Sequence, residues 1–310
     1  MARRLRLLAL LLGVFLAAAF ALTRDRSAHL PGDLRGTLVF VSDRDGTDAL
    51  YARRLPDGPD LRLTRLGEPV GPPALSPDGA RAAFAVGGRI ALVSLATTDV
   101  RYLTLGIDAR DAEPSWRPDG RALVIVSRGT EGDPGDLWQL ATEIAPGKAQ
   151  AGRRRLTETP ADEHEPVYSP DARAIVYVRE DTLYRLDLEA GSTRRLTGGL
   201  RRHRQPRFLP SGRLLCLWSQ DKRFGIGSVD PASGASETLA ESAVFYSSVA
   251  PAPDGRYLVA AFAYDLRFRP LDALLRRGHQ ELRLLDAAGR ELAPLSRAWR
   301  SSDRAAVWGR

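Results

Sequence analysis

The chain has 310 residues, 44 % hydrophobic and 27 % charged, the make-up of a folded globular protein, and after Arg26 no stretch is biased enough for disorder. Its 45 basic residues outnumber 38 acidic ones for a formal charge of +7, but they are spread along the chain without an aromatic-interleaved basic stripe, which excludes nucleic acid as a partner. The single cysteine, Cys216, excludes a disulfide framework; in the apolar run RLLCLW it is expected to be a buried, inert thiol.

Residues 1–23 read as a targeting segment. MARRLR carries three arginines, LLALLLGVFLAAAFAL is an unbroken apolar run, and Ala17-Ala18-Ala19 and Ala19-Phe20-Ala21 offer small residues at cleavage spacing. This is the layout of a secretory signal peptide or, if residues 7–22 are retained, of an N-terminal anchor in the cytoplasmic membrane. Both predict export to a periplasmic or other extracytoplasmic space. Residues 24–35 read as a linker.

From Thr37 the chain repeats itself. The first unit, TLVFVSDRDGTDALYARRL, predicts short strands around a turn. Later units open on a proline-led stretch: PALSPDGARAAFAV from Pro73, PSWRPDGRALVIVS from Pro114, PVYSPDARAIVYVR from Pro166, PRFLPSGRLLCLWS from Pro206 and APAPDGRYLVAAFA from Ala250. The turn prolines Pro77, Pro118, Pro170, Pro210 and Pro253 are spaced by 41, 52, 40 and 43 residues, the period of stacked supersecondary units. Pro sets φ at the first corner of a tight turn, Asp bonds its own backbone two residues on, and Gly accepts positive φ at the exit. Asp78, Asp119 and Asp254 are therefore expected to shape turns and not to act in catalysis. A second hairpin follows each turn, as in RIALVSLATTDVRYLT and TLYRLDLEAGSTRRLT, giving four antiparallel strands per repeat, the arithmetic of a β-propeller blade.

The ends of the chain set the blade count. The unit at Thr37 lacks a preceding Pro-Asp-Gly hairpin, and in the final SSDRAAVWGR the residues Ala306, Val307 and Trp308 match Pro114, Ser115 and Trp116. A C-terminal strand that completes the first blade would close the ring and remove two sheet edges. The expected fold is all-β: a six-bladed propeller over 36–310, with units near 37–66, 72–105, 112–157, 165–197, 205–239 and 248–295 and a closing strand at 303–310.

The units P-x-W-x-P-D-G-R-x-L-x-x-x-S, the stretch SDRDGTDALYARRL from Ser42, and the blade-closing R-R-L-T at Arg155 and Arg195 resemble the WD-like repeats of TolB propellers. They are similar also to the propellers that cap prolyl oligopeptidases and dipeptidyl peptidases. The resemblance runs from Leu34 to Arg310. Two departures are expected. TolB carries an α/β domain ahead of its propeller, which the residues from Arg24 to Arg35 are too few to encode, and no Gly-x-Ser-x-Gly elbow of a serine hydrolase occurs.

What the repeat leaves unexplained is where function is sought. The lead-in segments DEHEP from Asp162 and LRRHRQP from Leu200 are expected to run toward the channel, so that Arg201, Arg202, His203, Arg204, His164 and Glu165 ring one mouth as candidate partner-binding residues. Three arginines would present a positive potential to a carboxylate, phosphate or acidic peptide. His164, His203 and Glu165 are a minimal metal hint, short of a site. The long loop SRGTEGDPGDLW carries Glu131, Asp133 and Asp136, LDALLRR in blade six suggests a helical turn, and Trp116, Trp138, Trp218 and Trp308 read as packing, with Trp299 outside the pattern.

The resemblance implies an exported, non-catalytic protein-binding or scaffolding propeller of the cell envelope that recognises a protein segment or acidic ligand at a funnel mouth. The alternatives are a propeller enzyme, such as a metal-assisted lyase or hydrolase on a polyanionic sugar, and a membrane-tethered extracytoplasmic sensor. No cofactor, catalytic residue or metal ligand is assigned. An envelope protein or peptide partner and a monomeric ring are expected, with membrane contact only through an uncleaved N-terminal segment.

Overall fold

The computed structural model describes residues 30–129, 132–143, 148–242, 245–263, 280–296 and 302–309. Residues 1–23, read as a targeting segment, the LDALLRR stretch, Glu131 and Trp299 lie outside them. Among the described residues no helix is long and apolar enough to cross a membrane.

Six four-stranded antiparallel sheets follow one another along the chain. Blade one holds β1 (Thr37–Ser42), β2 (Ala49–Arg54) and β3 (Asp60–Arg62), and blade two β4 (Ala74–Leu75), β5 (Arg81–Val86), β6 (Arg89–Ser94) and β7 (Val100–Tyr102). Blade three holds β8 (Arg110–Trp116), β9 (Ala122–Arg128), β10 (Asp136–Ala141) and β11 (Arg153–Arg155), with one 3-10 turn at Ala149–Gly152. Blade four is β12 (Glu163–Tyr168), β13 (Ala174–Arg179), β14 (Thr182–Asp187) and β15 (Thr193–Arg195); blade five is β16 (Arg202–Phe208), β17 (Leu214–Gln220), β18 (Arg223–Val229) and β19 (Ser236–Ser242). Blade six is β20 (Phe245–Pro251), β21 (Tyr257–Ala263), β22 (Gln280–Asp286) and β23 (Glu291–Pro294). The last strand, β24 (Asp303–Gly309), pairs with β1, so blade one is built from both ends of the ring as its sequence predicts.

The turns behave as their residues require. Asp78, Asp119, Asp171 and Asp254 each accept the N–H two residues on, at 2.9–3.1 Å. Gly79, Gly120 and Gly255 follow at φ near +71°, whereas Ala172 takes the same left-handed conformation with a Cβ, at +58°. The closing Leu-Thr motif also has a mechanical reason. The hydroxyls of Thr64, Thr104, Thr157 and Thr197 accept the N–H groups of Leu50, Ile90, Leu137 and Leu183 at 2.9–3.1 Å, and Ser296 does the same for Leu282. Each hydroxyl pins the outer strand to the strand beside it where the regular ladder ends.

The core lies between blades and not at a single centre. Phe40 and Tyr51 of blade one pack with Val259 and Leu284 of blade six, Ile90 and Leu92 of blade two with Leu123 and Ile125 of blade three, and the pattern recurs around the ring. Strands such as AIVYV in β13 and ALVIVS in β9 are buried on both faces. That is why they read as continuous apolar runs and not as an in–out alternation. Trp116 and Trp308 occupy matching inner-strand positions, with indole N–H groups on Ala74 O and Arg35 O. Trp138 in β10 and Trp218 in β17 belong to other strands.

Candidate functional site

The innermost strand of each blade lines the channel. In β8, β12, β16 and β20 its pairing register shifts at a bulge. The bulge residues Glu113, Glu165 and Gln205 have φ of +53°, +50° and +52°, and Ala305 in β24 has +51°. Prolines 114, 166 and 206 follow three of them, at a place where a missing N–H costs no ladder bond. Left-handed conformations of residues with a Cβ cost on the order of 1–2 kcal/mol each and persist only where the surroundings hold them.

Here the holding is done by neighbours around the ring. Glu113 Oε2 accepts the Glu165 N–H at 2.5 Å, and Glu165 Oε2 accepts the Gln205 N–H at 2.6 Å. Gln205 Nε2 then donates to Ser247 O at 2.8 Å, while its Oε1 accepts from Val249 N at 3.3 Å. This relay ties blades three, four, five and six side by side, and burial pushes the Glu165 carboxyl up. The matching positions in blades one and two are Ala305 and Pro72, so the channel wall is polar on one half and apolar on the other. A cavity of about 350 Å³ lies against both halves, lined by Glu113, Glu165, Gln205 and Arg207 on one side and by Pro72, Pro73 and Val307 on the other. The repeated Glu-Pro, Glu-Pro, Gln-Pro ahead of the strands was the signal for this wall; attention to the prolines as turn and strand markers passed over Glu113, Gln205 and Arg207.

Two residues before each bulge, the chain enters the blade. Asp111, Glu163 and His203 receive the same tie, their N–H groups donating to Gly88 O, Gly135 O and Asp181 O of the preceding blade at 2.8, 2.9 and 2.6 Å. Asp111 is buried in a bidentate pair with Arg153 at 2.8 and 3.0 Å, and Asp303 meets Arg44 at 3.1 Å. Glu163 is capped by the Thr157 hydroxyl at 2.5 Å, and burial pushes its carboxyl up. His203 occupies this position in blade five. It is only 4 % exposed, its Nδ1 has no partner, and burial, followed by the charge of Arg201, pushes its pKa down to about 4. His203 is therefore inside the blade, and the Arg201 guanidinium is engaged within blade five, 4.1 Å from the Trp218 ring and donating to Thr238 in the outermost strand.

None of the other four candidate residues is fully buried. Glu165 is in the channel wall. His164 is held between Asp162 Oδ2 at 2.9 Å and Glu113 Oε1 at 3.5 Å, and its contact with Glu113 raises its pKa. Arg204 and Arg202 both lean on Asp181, at 2.7 and 3.7 Å, with the arginine side chains 57 % and 73 % exposed. Beside them a groove between blades five and six is lined by Trp218, Phe224, Phe245 and Tyr246. Phe245 is 50 % exposed and stands edge-on to Phe224 at 5.3 Å. In the long loop Asp136 is engaged by Arg155 at 2.6 Å. Among the described residues no three His, Cys, Asp or Glu side chains are grouped to hold a metal ion.

Fold and repeat together define a TolB-like six-bladed β-propeller. No protein-family model matches the chain. A "Protein TolB homolog" from Chlorobium luteolum is 30 % identical over 163 residues, 51 % of this chain, and the match spans only about a third (35 %) of that relative. Among solved structures, TolB from Acinetobacter baumannii superposes with a TM-score of 0.72 at 18 % identity, over 90 % of this chain and 68 % of that one. An oligogalacturonate lyase in complex with manganese does so with 0.61 at 16 % identity, over 86 % and 76 %. At those identities the structural likenesses establish the fold alone.

Proposed function

We propose that this protein is an exported, non-catalytic propeller of the cell envelope that binds an acidic protein segment on the face carrying Arg202 and Arg204. The observation behind the reading is a charge and shape pairing: two exposed guanidiniums share the single carboxylate of Asp181, next to a half-exposed aromatic, Phe245, over an apolar groove. An extended segment with a carboxylate beside an apolar side chain complements both features, through charge-assisted bonds to the arginines and burial of the anchor against Phe224 and Phe245. The likeness to TolB propellers supports a binding role, and the apolar run of residues 7–22 supports export. His164, bonded to two carboxylates, and His203, buried, serve this reading as parts of the scaffold. The lyase likeness is one of fold and brings no substrate to this chain.

The test is fluorescence anisotropy with acidic, basic and neutral peptides that share one central leucine or phenylalanine. Tight, salt-sensitive binding of the acidic peptide, lost in Arg202→Glu/Arg204→Glu and weakened in Phe245→Ala, supports the reading. Equal binding of all three peptides would overturn it.

A further inference from the structure

The central cavity carries chemistry that docking at the outer face does not use. Arg207 projects from β16 into the wall of this space, and its Nη1 donates to Pro206 O at 2.9 Å. Among the described residues no carboxylate reaches it within 4.0 Å, so its Nε and Nη2 donors are unspent. The carboxylates that share the cavity are already divided. Glu113 faces His164 and accepts the Glu165 N–H, whereas Glu165, among the described residues, accepts the N–H of Gln205. Once Glu113 and His164 are set against each other, one guanidinium and one carboxyl remain, on neighbouring blades. The opposite half of the wall is Pro72, Pro73 and Val307. At about 350 Å³ the space is at the small end of ligand cavities.

We propose that the central cavity is a binding site for a small zwitterion of the α-amino-acid type. Its carboxylate takes the open donors of Arg207, its ammonium faces Glu165, and an apolar side chain lies against Pro72, Pro73 and Val307. A simple anion would set like charge against Glu165, and a simple cation would set like charge against Arg207, whereas a zwitterion meets an opposite charge at each end. Burial pushes Arg207 down and Glu165 up, and the charge of each partly offsets the shift of the other, so the wall offers a pair of opposite charges to a ligand that carries both. This site stands independently of the docking face.

The experiment is isothermal titration of the purified chain with L-leucine, with 4-methylpentanoate, which lacks the ammonium, and with isopentylamine, which lacks the carboxylate. L-leucine is expected to bind at least tenfold more tightly than either truncated compound. Arg207→Gln is expected to abolish binding of L-leucine and Arg207→Lys to weaken it about tenfold. Glu165→Gln keeps an acceptor for the Gln205 N–H, so it should fold, weaken L-leucine about tenfold and leave 4-methylpentanoate unchanged. Far-UV circular dichroism melts confirm that each variant is folded; should Arg207→Gln unfold, Arg207→Lys and Glu165→Gln carry the test. No heat with L-leucine at 10 mM, or binding of L-leucine unaltered in the folded Arg207 variants, would overturn the proposal.

Discussion

Glu165 reaches across the gap between two blades to accept the backbone N–H of Gln205 at 2.6 Å, fixing a left-handed bulge residue in the next blade. The bond links a residue of one repeat to the same position of the following repeat, so it sets how neighbouring blades are spaced around the channel. Glu165→Ala orphans that part-buried N–H and is expected to cost about 1–3 kcal/mol in urea denaturation. Glu165→Gln preserves an acceptor and should cost about 1 kcal/mol or less. Equal losses for the two would mean that the relay contributes nothing beyond packing.

Asp111 and Arg153 form the most deeply buried ion pair described, with side chains 0 % and 2 % exposed, stacked under Trp138 at 4.9 Å. Breaking one partner of such a pair costs about 3–5 kcal/mol because the other is left charged and buried. Asp111→Ala is expected to fall in that range, and adding Arg153→Met should restore part of the loss. A double-mutant cycle by chemical denaturation reads the coupling directly.

The outer-strand hydroxyls are interchangeable parts. Thr104→Val leaves the buried Ile90 N–H without its acceptor and should cost about 1–3 kcal/mol, with hydrogen exchange at Ile90 accelerated. Thr104→Ser keeps the acceptor, as Ser296 does naturally for Leu282, and is expected to be nearly neutral.

His203 makes the fold sensitive to acid. Its folded pKa, about 4, lies below the ordinary 6.5, so between these values the unfolded chain binds the extra proton and stability falls as the pH drops. The contribution amounts to at most about 3 kcal/mol by pH 4. Thermal melts of His203→Leu should match or exceed the native chain at pH 7 and exceed it by a growing margin toward pH 4. A constant difference across that range would contradict the burial of a neutral imidazole. His164 has the opposite sign: its folded pKa is raised, so its contribution is complete below 6.5 and is lost as pH climbs through the higher value.

Much of the ring was legible from local chemistry. Pro-Asp-Gly can do little except turn, and runs such as AIVYV and ALVIV need burial on two faces, which stacked blades supply. The match of Ala306-Val307-Trp308 to Pro114-Ser115-Trp116 located the closing strand, because both Trp side chains tie back to backbone carbonyls by the same kind of bond. The candidate site was less legible. His203 and His164 lie in two similar lead-in segments, yet one register step separates a buried position from a half-buried one, and charge alone does not distinguish them. Arg201 was hidden differently, since nothing in sequence reveals that Trp218 offers it a face. The channel wall came from Glu113, Glu165 and Gln205, which stand at one repeat position, each five residues ahead of its turn proline, but whose role as inter-blade acceptors and donors shows only in the left-handed bulge.

The most direct test of the docking reading is a quantitative crosslinking capture from envelope extract with the purified chain, run beside Arg202→Glu/Arg204→Glu and beside Arg117→Glu at a Pro-Asp-Gly turn. The account predicts a protein whose captured segment is acidic, held by the native ring and by Arg117→Glu, and reduced at least tenfold by the double charge reversal at an unchanged melting temperature. Capture undiminished by the double reversal would contradict it.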